Sequence, residues 1–183
     1  MLKVGFVGLG NVGGKLAGSL LRNGIDLTVR DLDPAIAQPF LDGGAKWADS
    51  PREMAQKVDV IITCLPSPQA CEAVVTQMLP EVTDGKIWLE MSTTDANEVA
   101  RLADEVINRG GSAVDCPVSG GCHRAATGNI SIFAGCERAT FERVLPLLTT
   151  LGRRVLHTGP VGSASTLKVM TNYLATANLL TVC

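Results

Sequence analysis

The chain has 183 residues, 46% of them hydrophobic, and a formal net charge of -2. That length holds one full domain plus a piece of another, and the near-neutral balance without a basic run speaks against nucleic acid as the main partner. No stretch approaches the roughly 20 apolar residues of a membrane span, and the opening MLKVGFVGLG enters a strand pattern with no leader ahead of it, so a cytoplasmic protein is expected.

In chain order, KVGFVG reads as a strand and NVGGKLAGSLLRNG as the helix after it. Strand DLTVRD follows, then the helix-length segments PAIAQPFLDGG and SPREMAQKV. Strand DVIITCLP, helix SPQACEAVVTQML, strand KIWLEMS and helix TDANEVARLADEVINRGG continue the alternation, which reaches a further run at SAVDCPV. The strands are continuously apolar rather than alternating, so both faces are buried. This is the rhythm of an α/β, Rossmann-like doubly wound fold, a mostly parallel sheet with helices on both faces. A late pair, NISIFAG and RRVLHTG, brackets the helix ERATFERVLPLLTTLG and extends the sheet. The closing stretch GPVGSASTLKVMTNYLATANLLTVC reads as one long helix, truncated, which divides the chain into residues 1–161 and 162–183.

Local chemistry marks the boundaries. Pro34 and Pro51 occupy first helical positions behind the capping residues Asp33 and Ser50. NG at 23–24 and GG at 43–44 and 110–111 end helices where a left-handed residue is wanted. The 6 cysteines form no C-x-x-C pair and the 2 histidines, His123 and His157, have no zinc spacing, so the thiols read as small buried hydrophobes in a reducing compartment. His157 reads as structural, and Glu90 on an apolar strand receives no role.

The turn after the first strand contains G-x-G-x-x-G as Gly8, Gly10 and Gly13. Gly8 permits the tight turn, Gly10 lets a pyrophosphate reach the backbone, and Gly13 allows helix and strand to approach. With Asn11 and Val12 between them, these residues form a cofactor-binding loop at a positive helix end. Asp31 closes the second strand at about the separation expected of a ribose-binding acid. Its carboxylate would repel a 2′-phosphate, and Leu32 offers no base to hold one, so NAD is favoured over NADP. Strand alternation points Arg30 away from Asp31.

With GLGNVGGKLAGSLLRNG, DCPVSGG and GPVGSASTLKVMTN all in order, the chain resembles the β-hydroxyacid dehydrogenase family, in its 3-hydroxyisobutyrate dehydrogenase group, over nearly its whole length. The resemblance implies a nicotinamide-binding domain joined by a long helix to an all-helical domain that this sequence lacks. It implies that Ser119, Gly120 and Gly121 bind the substrate carboxylate, that Lys168 is the catalytic lysine with Asn172 its partner, and that Leu65, Pro66 and Thr93 line the cofactor cleft. The substrate would be a small hydroxy acid or semialdehyde, and the intact protein a homo-oligomer. Val12, Cys116, Thr94 and Asp95 depart from the family's usual residues and leave the substrate open.

The residues support these roles separately. A glycine pair after a strand can turn several backbone N–H groups toward an anion. Lys168 and Asn172, at i and i+4, share a helix face. Ser163 and Ser165 are candidate N-caps, which would put Lys168 in the first turn or so, where the helix dipole favours the neutral amine a general base needs. His123 and Arg124 follow the glycines and could touch a substrate. The bare apolar residues Val169, Leu174, Leu179, Leu180 and Val182 would drive self-association. The competing readings are a non-catalytic dinucleotide-binding module, which has no need of Lys168, and the enzymatic cousins 6-phosphogluconate dehydrogenase, tartronate semialdehyde reductase and imine reductase.

Overall fold

The structure, a computed structural model, describes residues 2–182. Strand β1 (Lys3–Val7) leads through the glycine turn into α1 (Gly13–Arg22) and returns as β2 (Asp26–Arg30). A 3-10 turn at Pro34–Ala37 precedes α2 (Gln38–Asp42), β3 (Lys46–Trp47) and α3 (Pro51–Lys57). Then come β4 (Val60–Thr63), α4 (Pro68–Met78), β5 (Ile87–Glu90), α5 (Ala96–Ile107) and β6 (Ser112–Asp115). The chain finishes with β7 (Val118–Ser119), α6 (Gly121–Ala126), β8 (Ile130–Gly135), α7 (Arg138–Leu151), β9 (Gly152–Gly159) and α8 (Ser163–Val182).

The strands order as β3-β2-β1-β4-β5-β6-β8-β7, with β9 on β8. Pairing is parallel from β3 through β6, while β8 runs antiparallel to β6 and β7 and parallel to β9. The fold is the doubly wound one read from the sequence. Alternate strand residues feed two cores: Phe6, Ile62 and Leu89 meet Leu16 and Leu20 of α1 on one face. Ile61 and Trp88 meet Met54, Val75 and Leu102 of α3, α4 and α5 on the other. Burial on both faces is why those strands show no polar alternation.

Asp33 and Ser50 cap as expected, accepting from the Ala35 and Glu53 amides at 3.0 Å each. Gly24, Gly44 and Gly110 take positive φ. Pro39 interrupts the segment after Asp33, so a 3-10 turn and a five-residue helix stand where one helix-length segment was read. The two-residue β3 and the short α6 went unread, being too brief for any periodicity.

A buried carboxylate ties the last helix to the sheet. Asp115, fully buried at the end of β6, accepts the Ser165 amide at 2.8 Å and the Ser165 hydroxyl at 2.6 Å. A carboxylate there meets free N–H groups and the positive end of α8. This corrects the expected caps. Gly162 makes the first carbonyl bond of α8, to the Thr166 amide, Ser163 turns its hydroxyl to Pro160, and Ser165 donates to Asp115. Helix α8 therefore begins at Ser163, and Lys168 falls in its second turn, not its first.

Asp115→Ala should lower unfolding stability by about 2–3 kcal/mol in urea titration, because it strands two donors beneath α8. A loss below about 0.5 kcal/mol, the range of ordinary surface changes, contradicts this anchoring.

Candidate cofactor groove and lysine site

The glycine turn is shaped by close approach. A Cβ on Gly13 would lie 2.0 Å from the Gly8 carbonyl oxygen, and Gly8, at φ 96°, leaves no room for one beside the Cys64 carbonyl. Gly10 has nothing within 4 Å, so its absent side chain leaves open space rather than packing. The three glycines thus do separate jobs, as their spacing implied: two close the backbone and one clears a surface.

That surface belongs to a cavity of about 660 Å³ running along the C-terminal ends of the parallel strands. The volume lies in the range of small-molecule and cofactor sites. The cavity sits where β1 has β2 on one side and β4 on the other, the switch point at which doubly wound sheets bind ligands. All of the expected cofactor-lining residues border it: Gly8, Gly10, Asn11, Val12, Gly13, Asp31, Leu65, Pro66 and Thr93.

Asp31 is held rigidly. One carboxylate oxygen accepts the Leu9 amide at 2.7 Å and the other the Asp33 amide at 3.1 Å. Arg30 also borders the cavity. Its guanidinium is engaged elsewhere, donating to the Ala48 carbonyl at 3.2 Å and lying over the Trp47 ring. Leu32 is 94% exposed.

On the opposite wall, the loops after β4 and β5 are tied together. The Leu65 amide donates to the Ser92 hydroxyl at 2.8 Å, and the Ser92 amide to Glu90 at 2.6 Å. Glu90, given no role from sequence, is fully buried and also accepts from Thr63 at 2.7 Å and from the Cys71 thiol. Burial pushes its carboxyl above the usual range. A lone Glu in an apolar run was the only available signal of this network. Cys64 borders the cavity, but burial pushes its thiol up to about 12, which makes it unreactive. His157 is structural, bonding the Cys136 carbonyl at 2.8 Å and stacking on Phe141.

Lys168 borders the same cavity as the glycine turn and is itself 8% exposed. Burial holds its amine below the ordinary lysine value. The bias toward a neutral amine therefore comes from desolvation, not from the first-turn dipole inferred from the sequence. Asn172, one turn further on, is exposed and does not border the cavity. The glycine pair divides as well. Gly121 borders the cavity with Lys168, whereas Ser119 and Gly120 border a neighbouring cleft. Gly120 and Gly121 both take positive φ, at 133° and 77°, and lead directly into α6 rather than forming a free loop. Beyond Lys168, α8 exposes the apolar residues noted in the sequence, from Val169 at 58% to Val182 at 82%.

Residues 3–159 match the family described as the NAD binding domain of 6-phosphogluconate dehydrogenase. Over 180 residues the chain is 35% identical to the mitochondrial 3-hydroxyisobutyrate dehydrogenase of Rattus norvegicus, covering 97% of this chain and 54% of that protein. It is 33% identical to the NAD-dependent L-serine dehydrogenase of Pseudomonas aeruginosa, covering 95% of this chain and 59% of the relative. Among solved structures, the Mycobacterium tuberculosis 3-hydroxyisobutyrate dehydrogenase with L-serine superposes with a TM-score of 0.92 at 26% identity, over 96% of this chain and 60% of that one. The chain spans little more than half the length of the curated relatives it matches.

The buried amine makes a pH prediction. Between its lowered folded value and the ordinary 10.5, the unfolded chain binds more protons than the folded one, so stability rises with pH through that window. Lys168→Met should therefore stabilise the chain at neutral pH, with the gain shrinking as pH climbs toward 10.5. Urea midpoints of both chains across this range check it; a constant difference contradicts a desolvated amine.

Proposed function

We infer what the chain does from the family it belongs to, the 6-phosphogluconate dehydrogenase-type NAD binding domains of the β-hydroxyacid dehydrogenases. We propose that it is the cofactor-binding part of an oxidoreductase that moves a hydride between a nicotinamide and a small 3-hydroxy acid of the 3-hydroxyisobutyrate kind. The observation that carries this reading is the shared cavity: the glycine turn and a desolvated lysine border one space.

The groove fits a dinucleotide. Gly10 leaves its backbone open, α1 has no acidic residue in its first turn, and its free N–H groups suit a pyrophosphate. Asp31, fixed by two amides, suits ribose hydroxyls. Leu32 offers no charge to a 2′-phosphate and Arg30 is occupied, which supports NAD over NADP. Bound nicotinamide supplies the hydride acceptor; the protein supplies alignment and proton transfer.

In this reading Lys168 takes the proton of the substrate hydroxyl and returns it during reduction. Ser119, Gly120 and Gly121 receive the carboxylate, and Asn172 orients the hydroxyl from the next turn of α8. Residues 1–161 are read as the dinucleotide-binding domain and 162–183 as an interdomain helix of the family's kind. The exposed apolar face of α8 makes the protein self-associate.

Gly10→Ala separates binding from folding, since its added methyl meets nothing within 4 Å. Calorimetric titration should show NADH binding by the wild-type chain and at least about tenfold weaker binding by the variant, at equal stability. In the full-length protein, Lys168→Ala should lower kcat by about 10²–10⁴ with NADH affinity retained. Absence of NADH binding by the wild-type chain, or a kcat loss below about tenfold, overturns the respective half of the proposal.

A further inference from the structure

The neighbouring cleft gathers basic side chains that the cofactor groove does not use. Two overlapping depressions of about 580 and 500 Å³ share Arg124, Ser131, Arg153 and Arg154. Sheet register builds their floor: Ser119 pairs with Ser131, and Ser131 with Arg154, so these residues lie side by side across β7, β8 and β9. Arg153 precedes Arg154 on the edge strand, and Arg124 enters from α6, its side chain lying across Gly120. No acidic residue lines either depression.

These arginines differ from six of the others, though not from Arg109, which lies alone on another surface. Arg52, Arg101 and Arg138 hold carboxylates, and Arg22, Arg30 and Arg143 hold backbone carbonyls. Among the described residues, the side chains of Arg124, Arg153 and Arg154 have no such partner, although all three meet in one cleft of a chain with net charge -2. Arginine on an edge strand guards against strand addition, which accounts for Arg153 and Arg154 but not for Arg124 arriving from a helix. Three like charges around hydroxyl and amide groups suit a ligand of several negative charges. The cleft's size is that of a small molecule, and three arginines fall short of the roughly 6–10 phosphate contacts by which proteins hold nucleic acid.

We propose that this cleft is a binding site for a small polyanion, a phosphate- or polycarboxylate-bearing molecule, separate from the cofactor groove. Arg124, Arg153 and Arg154 supply the charge, and Thr127, Asn129 and Ser131 border the same depression with neutral hydrogen-bonding groups. The cleft shares Ser119 and Gly120 with the carboxylate-binding loop of the proposed function but none of the residues that line the cavity of Lys168 and Gly10, so the two readings can fail separately.

Calorimetric titration with inorganic pyrophosphate and, in parallel, citrate tests it at low salt. The site predicts saturable binding of at least one probe with Kd below about 1 mM, weakened at least tenfold by Arg153→Ala/Arg154→Ala and again by Arg124→Ala. NADH affinity should stay within about twofold in these exposed-residue variants. Arg109→Ala, which removes an exposed arginine on another surface, should leave probe binding unchanged. Repeating the titration with saturating NADH distinguishes the sources: binding that persists belongs to the cleft, whereas binding that disappears belongs to the cofactor's phosphate site and overturns the proposal. Lack of saturable binding by either probe, or equal loss in the Arg109 variant, overturns it as well.

Discussion

The arrangement depends on one buried carboxylate. Asp115 ends β6 inside the molecule and accepts both donors of Ser165, which fixes where α8 starts and how it is turned. Lys168 lies three residues after Ser165 on the same helix, so its place beside the groove follows from that contact. Burial raises the Asp115 carboxyl above its ordinary value, and the amides at the helix start act in the opposite direction. The fold thus accepts the cost of an internal acid beside the one buried lysine among the described residues.

The groove itself is rigid on both walls for different reasons. On one side, backbone closure at Gly8 and Gly13 leaves no room for side chains, so the turn cannot relax without parting β1 from α1. On the other, Glu90 holds Ser92 and Ser92 holds Leu65, which locks two loops that would otherwise move independently. Pre-set walls reduce the ordering a ligand must impose on binding. The lysine adds the chemical bias: an amine removed from water gives up its proton more readily.

Much of this was legible in the sequence. The continuous apolar strands and the proline-marked helix starts led to the right fold, and the residues read as cofactor-lining, from the glycine spacing or, for Leu65, Pro66 and Thr93, from the family resemblance, all border one cavity. What escaped depends on contacts distant along the chain. No local pattern says that Asp115 caps a helix beginning 48 positions later at Ser163, and the nearby serines therefore looked like the caps. The cavity wraps around the strand end and so reaches both Arg30 and Asp31, although the Arg30 guanidinium is turned to Ala48 and Trp47. Lys168 and Asn172 share a face of α8 as their spacing implied, but Lys168 is buried and borders the cavity while Asn172, one turn on, is exposed and does not. The Arg124, Arg153 and Arg154 cleft was equally hidden, since only the β8–β9 register brings its parts together.

The central claim is that a helix pinned by Asp115 sets a desolvated amine beside the groove that the glycine turn lines. A crystal structure of the chain with NADH tests this most directly. The account predicts the pyrophosphate over Gly10, a ribose on Asp31, and the Lys168 Nζ facing the nicotinamide with room for one small acid between them. A dinucleotide bound with its nicotinamide turned away from Lys168, or an amine directed into solvent, would contradict it.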